Sequence, residues 1–242
     1  MSDRSNVREQ IRHYERMAAK FDRSVWSLGN RDNRNHLVKV RAIADALGAS
    51  QGGHVLEVGT GTGLHARWLL ENSPVRITAL DASEPMLGIA SQRLAEHHGR
   101  VALGIADAHD LPFGDASFDA AFCSGTLHHL ARPGRGLAEL ARVTRPGGRV
   151  AAMEPNWKFP STMLVGASNK AERNVFKISP ASLDAWARDA GLEDVRLQRL
   201  LYTPPAPRSW ERGWEAVDRA MARIPGLKRW SIMLLVTGRV PG

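Results

Sequence analysis

The sequence predicts a mixed α/β fold carried on a parallel sheet, and three observations lead there. Short runs of strand character recur between residues 54 and 154, and helical spacing follows most of them, the alternation that builds βαβ units. A glycine cluster, GTGTG at Gly59 to Gly63, stands at the first strand-to-helix junction, where such sheets receive ligands. The chain has 242 residues, 43% apolar and 24% charged, enough for one sizeable buried core.

The elements follow in order. Val7, Ile11, Tyr14, Ala18 and Phe21 line one stripe of a helix over residues 7–23. Leu37, Val40, Ile43, Ala44 and Leu47 repeat the pattern over 34–47, with Gly48 as a stop. Strands are expected at 54–58, 76–80, 101–106, 118–123 and 149–154, with helices ending near Leu70, over 84–96 and over 133–144. Arg145 to Gly148 (RPGG) reads as a turn. Residues 155–178 show no period and are expected to leave the core. Ser179 followed by Pro180 opens a capped helix ending at Ala190 and Gly191. A sixth strand spans 195–202 and is broken by the prolines of 204–207. A helix then runs through Trp210 to Met221, and a last buried strand covers 232–237.

Composition narrows the class. The 22 Gly and 13 Pro are ordinary for this length and exclude a collagen-like or disordered chain. No apolar run reaches the ~18 residues of a membrane span. The first residues are charged from position 3 and carry no apolar segment, so a cytoplasmic protein is expected. One cysteine, Cys123, excludes an intrachain disulfide or a cysteine-rich zinc site. The net charge of +8 is uneven: residues 1–50 hold 10 basic and 6 acidic side chains, 51–194 hold 14 and 16, and 195–242 hold 9 and 3. A basic flank can meet nucleic acid, an anionic membrane surface or a phosphorylated substrate. Arg outnumbers Lys 27 to 6 in an Ala-rich chain, and compositional bias accounts for the excess as well.

The glycine cluster carries the chemistry. A phosphate loop needs Lys and Ser/Thr after its last glycine, and none follows. A dinucleotide fingerprint would place its third glycine at Leu64. The spacing is instead G-x-G-x-G, with Glu57 two residues ahead, an acid suited to a ligand bearing ammonium or sulfonium charge. Asp81, 18 residues beyond Gly63, ends the second strand and can accept both hydroxyls of a ribose. Asp107 ends the third and can take an adenine amino group.

These segments resemble the class I S-adenosylmethionine-dependent methyltransferases. The resemblance rests on VLEVGTGTG (55–63), LDASEPML (80–87), DAHDLPFGDASFDAAFCSGTLHHL (107–130) and ELARVTRPGGRV (139–150). It implies a Rossmann-like, seven-stranded, mostly parallel sheet whose last strand, about 231–238, runs antiparallel, with helices on both faces. It also implies an N-terminal helical lid over 1–48 and a core over 49–242, with acceptor-site insertions near 155–178 and 203–230. Glu57, Gly59 and Gly61 would surround the methionine part of the cofactor, with Thr60, Gly63 and Ala82 also among the cofactor-binding residues. Asp81 would meet the ribose, Met86, Asp107 and Ala108 the adenine, and Ser124 the amino-acid moiety. Tyr14 or Phe21 would close over the sulfonium. S-adenosyl-L-homocysteine would be the product.

The acceptor half is less legible. His128, His129 and Glu154 follow strands four and five and are the candidates for a base, an imidazole of near-neutral pKa taking a proton while Glu154 orients it. A packing role for each is the alternative. A metal site is not expected, since adjacent histidines should diverge and no third ligand stands at zinc-site spacing. Trp157 and Trp210 could wall an aromatic or terpenoid pocket, whereas Trp186 and Trp230 are expected to pack in the core or the lid. The expectation is methyl transfer to a small molecule of secondary metabolism. The alternatives are a tRNA-modifying enzyme using the basic flanks and a scaffold without turnover. CSGT (123–126) replaces the Asn-Pro-Pro-aromatic motif of base-flipping enzymes. Oligomeric state is open, a homodimer being one option.

Overall fold

A computed structural model describes residues 34–203 and 211–242 of the chain. The helix expected over 7–23 with Tyr14 and Phe21, the prolines of 204–207 and Trp210 lie outside the described residues. Seven strands, β1 (Gly53–Val58), β2 (Val75–Asp81), β3 (Val101–Ile105), β4 (Phe118–Ser124), β5 (Thr144–Pro155), β6 (Glu193–Leu200) and β7 (Met233–Arg239), form one sheet in the order β3-β2-β1-β4-β5-β7-β6. β1, β2, β3, β4 and β5 pair in parallel, and β7 runs antiparallel between β5 and β6. The expected sheet, with its reversed last strand, is the one observed.

Among the described residues, seven α-helices accompany the sheet: α1 (Arg34–Leu47), α2 (Leu64–Asn72), α3 (Glu84–Arg93), α4 (Pro133–Val143), α5 (Pro160–Ser168), α6 (Pro180–Asp189) and α7 (Glu211–Arg223). The central strands are apolar at almost every position because both faces are covered, and alternation decides which face each residue joins. Val55, Ile77, Phe122, Met153 and Leu235 pack with Val40 and Ile43 of α1 and Leu69 of α2. Leu56, Ala121, Cys123, Leu234 and Val236 point the other way, onto Leu137 and Leu140 of α4 and Leu183 of α6. The described part of the expected lid, α1, is therefore a wall of the core.

Local chemistry sets the ends. Ser83 caps α3 by accepting from Met86 N at 3.4 Å, with proline in the first turn. Ser179 and Ser182 form a reciprocal capping box at the start of α6. One expectation is corrected: Arg145 to Gly148 is not a free turn but a bulge inside β5. Phe118 pairs Thr144 while Ala120 pairs Arg149, so the segment between loops out without leaving the sheet. Gly147 N and Val240 N still donate across to Val240 O and Gly148 O, both at 2.9 Å, which keeps β5 joined to the end of β7. The expected excursion after β5 is α5 followed by a 3₁₀ segment, Lys170–Lys177. Among the described residues, no helix is long and apolar enough to cross a membrane.

Candidate active site

The sheet order reverses at β1 and β4, and the crevice beyond their carboxyl ends is where open α/β sheets bind ligands. The glycine loop that leaves β1 lies there. Gly59 N and Thr60 N both donate to Leu80 O, at 2.8 and 2.9 Å, and pin the loop to β2. Gly59 has φ +74°, and a Cβ there would lie 2.1 Å from Thr126 Oγ1, so glycine is what lets the segment after β4 close on the loop. Gly61, at φ +54°, faces open space with no atom within 4 Å of where a Cβ would stand. Its N–H donates to Asp81 Oδ2 at 2.7 Å, and Ser83 N donates to Asp81 Oδ1 at 2.9 Å. Burial raises the Asp81 carboxyl above its ordinary range. The Ala82 backbone N–H also bonds this carboxylate, which has about four acceptor sites, so capacity for a ligand is left.

Glu57 is buried at the end of β1, where its Oε2 accepts from Thr60 Oγ1 at 2.9 Å and His65 Nδ1 stands 4.0 Å from its Oε1. Burial pushes its carboxyl up to about 8; the Thr60 hydrogen bond opposes this, and the nearby Asp81 charge adds to it. α1 contributes polar groups the sequence reading missed: Arg34, Asn35, His36 and Lys39 are all buried, with His36 and Lys39 near His65 and Arg34 paired instead with Asp218. Burial lowers Lys39 to about 8. Burial, with Lys39 and Arg93 nearby, lowers His36 to about 4. The His36 and His65 rings lie 5.3 Å apart, and His65 Nε2 is buried without a hydrogen-bond partner. A signal existed: positions 36, 39, 40, 43 and 47 share one helix face, so His36 and Lys39 had to lie inward with Val40, Ile43 and Leu47.

The site has the donors and acceptors that an adenosyl amino acid requires. It offers a backbone cradle open at Gly61, a strand-tip carboxylate, a buried acid raised by desolvation and a buried lysine, Lys39, near that acid's neighbour His65. The other predicted residues take varied places. Thr60 is buried, Gly63 packs between Leu94 and Ala90, and Ala82 is exposed next to Asp81. Met86 is buried in the first turn of α3, and Ser124 ends β4 half-buried. Asp107 is exposed beyond β3, with Oδ1 accepting from His109 N at 2.9 Å and 2.7 Å from His109 Nδ1; Ala108 beside it is half-buried.

On the other side of the crevice, β5 ends at Glu154, which is 0% exposed. Its carboxylate accepts from Thr126 N at 2.9 Å, Leu127 N at 2.7 Å and His128 N at 3.3 Å, fixing the 3₁₀ turn Leu127–His129. It also meets His128 Nδ1 at 2.6 Å, while Glu172 Oε2 lies 3.4 Å from His128 Nε2. Burial works against the charged ring, but the Glu154 and Glu172 carboxylates prevail and raise His128 to about 9. The expectation of a near-neutral imidazole at position 128 is thus corrected, because the ring is clasped between two acids. Nor do the adjacent histidines diverge: the tight turn brings their ring centroids to 3.8 Å. Glu172 had no signal in the aperiodic 155–178 stretch. Trp157 meets Phe176 edge-on at 5.8 Å between centroids. Trp186 is half-buried on the core, and Trp230 is 41% exposed beside Arg229 and so does not pack in the core.

Comparison with known proteins agrees with this geometry. Residues 56–152 match the family described as a methyltransferase domain. The chain is 37% identical over 143 residues to a demethylmenaquinone methyltransferase of Clavibacter sepedonicus, covering 58% of the chain and 56% of that protein. It is 33% identical over 184 residues to 27-O-demethylrifamycin SV methyltransferase of Amycolatopsis mediterranei, covering 73% and 66%. The matched length is thus about half to two thirds of these relatives. A SAM-dependent methyltransferase from Thermotoga maritima shares the fold, with a TM-score of 0.68 at 22% identity over 94% of this chain and 98% of that one. So does the [4+2]-cyclase SpnF, with a TM-score of 0.62 at 23% identity over 84% and 80%. With the glycine loop and strand-tip acids in place and the domain and its relatives matched, the chain belongs to the class I S-adenosylmethionine-dependent methyltransferase family.

Proposed function

We propose that the chain transfers a methyl group from S-adenosylmethionine to a small-molecule acceptor that enters beside the turn at residues 127–129. The observation that carries the reading is the open cradle at Gly61 between the acids of two neighbouring strand tips, Glu57 and Asp81. Asp81 takes the ribose hydroxyls, Glu57 the ammonium, and Lys39 with His36 the carboxylate of the amino-acid tail. Bound S-adenosylmethionine supplies an electrophilic methyl group on a sulfonium. The residues around it position the acceptor in line, which is worth up to about 7–11 kcal/mol. Exclusion of water falls to α1 and the segment after β5. Relatives named for methylation of demethylmenaquinone and a rifamycin favour a ring-bearing, largely apolar acceptor, and Trp157 with Phe176 offers aromatic surface for one.

The test is a screen of phenolic, quinol and polyketide acceptors with methyl-labelled cofactor, alongside calorimetry with S-adenosylhomocysteine. Acceptor-dependent transfer of label is expected. No binding of either form at millimolar concentration would overturn the cofactor assignment. Label transferred only to tRNA, in a complex that weakens steeply with salt, would replace the small-molecule acceptor with the nucleic-acid one.

A further inference from the structure

We propose that His128, His129 and Glu172 form a binding site for one divalent transition-metal ion, held by two imidazoles and a carboxylate with a fourth position open. One ligand atom from each residue lies within 4.8 Å of the others. The spacing suits a tetrahedral ion: two bonds of about 2.0–2.1 Å at the tetrahedral angle put their ligand atoms roughly 3.3–3.4 Å apart. His128 Nε2 and Glu172 Oε2 are 3.4 Å apart.

The surroundings of His128 are an independent observation. Metal-bound histidines commonly hold their second ring nitrogen against a carboxylate, which fixes the tautomer and aims the other nitrogen at the ion. Glu154 does this to His128 Nδ1 at 2.6 Å, and Glu154 is itself held by three backbone N–H groups. The ring is therefore oriented before any ion arrives, with Nε2 toward Glu172. His129 is brought alongside by the 3₁₀ turn, its ring centroid 3.8 Å from that of His128. His128 is buried while His129 and Glu172 are half-buried, so an ion can enter from the crevice. Two imidazoles and one carboxylate suit zinc, cobalt(II) or nickel(II) over magnesium or calcium, which prefer all-oxygen sites.

On binding, a proton on His128 Nε2 passes to solvent, each of the two imidazoles donates one nitrogen lone pair (Nε2 for His128), and Glu172 contributes its charge. The ion's open position takes water or an oxygen ligand. Resting on the methyltransferase reading, that ligand is the acceptor hydroxyl, whose proton a Lewis acid makes easier to lose near neutral pH. Metal binding itself does not depend on that reading.

The experiment is a titration of chelator-treated full-length protein with cobalt(II) and zinc(II), followed by calorimetry and by the visible ligand-field bands of cobalt(II). One equivalent should bind with bands of four- or five-coordinate cobalt. His129→Ala and the near-isosteric Glu172→Gln, each checked for fold by circular dichroism, should weaken binding at least tenfold. His98→Ala, which changes an exposed histidine elsewhere, should not. Absence of a one-to-one complex would overturn the site, as would equal affinity in wild type and both cluster variants, or loss on His98→Ala. Failure of cofactor binding, measured separately with S-adenosylhomocysteine, would leave this result standing and strike only the methyltransferase reading.

Discussion

If Glu57 receives the ammonium as proposed, cofactor binding is expected to release a proton, and the size of the effect follows from the surroundings of Glu57. Burial holds its carboxyl at about 8, so near pH 7 only about one molecule in ten carries the charge that an ammonium needs. Ionising it there costs about 1.4 kcal/mol, and near pH 6 about 2.7 kcal/mol. An α-amino group with a pKa of about 7.7–8.0 stays protonated across that window, so only Glu57 titrates. The sign is set: binding favours the ionised form, and affinity falls as pH drops below about 8. Kd for S-adenosylmethionine should therefore weaken close to tenfold between about pH 7 and about pH 6, with nearly one proton released. Calorimetry in two buffers of different ionisation enthalpy reads both quantities. Glu57→Gln keeps an acceptor for Thr60 Oγ1 but cannot ionise; it should bind more weakly, release no proton and show a flat profile. The same Kd at both pH values in the wild type, with no dependence of the heat on buffer, would refute a buried, protonated Glu57 as the ammonium's partner.

Other outcomes follow from the same crevice. Asp81→Asn removes the charge while keeping an acceptor for Gly61 N or Ser83 N, and should weaken cofactor binding tenfold or more, about 1.5–3 kcal/mol; calorimetry with unchanged affinity would contradict it. Gly59→Ala forces a Cβ to 2.1 Å from Thr126 Oγ1 at a positive φ, and should destabilise the fold by about 2–4 kcal/mol in a denaturant melt. Adding Thr126→Gly should recover part of that loss, and no recovery would mean that φ alone is responsible. Lys39→Met should weaken binding of S-adenosylmethionine but leave binding of its decarboxylated analogue unchanged. Equal loss for both ligands would show that Lys39 serves the loop rather than the carboxylate.

How much of this could be read from the sequence depends on whether the chemistry is local in the chain. Glu57 and Asp81 were legible because each closes a short apolar strand, and a parallel sheet brings such ends to one edge. The bulge at 145–148 was half-legible: Pro146 and Gly147 announce irregular backbone, but only the register of Phe118 and Ala120 against β5 shows that the chain stays in the sheet. His36 and Lys39 lie on the buried face of α1 by spacing alone, yet a stripe sought among apolar residues passes over them. Glu172 is the opposite case. It sits in a segment without period, and it reaches His128 only because the 3₁₀ turn after β4 and the one after α5 pack together. On the proposed reading, the nucleotide half of the site is built from strand tips, whose positions the chain's period dictates. The acceptor half, on that reading, lies where two irregular segments meet, and no local rule couples residue 128 to residue 172. That asymmetry fits the chemistry, since the adenosyl ligand is one molecule while acceptors vary, and variation is least disruptive in segments that the sheet does not fix.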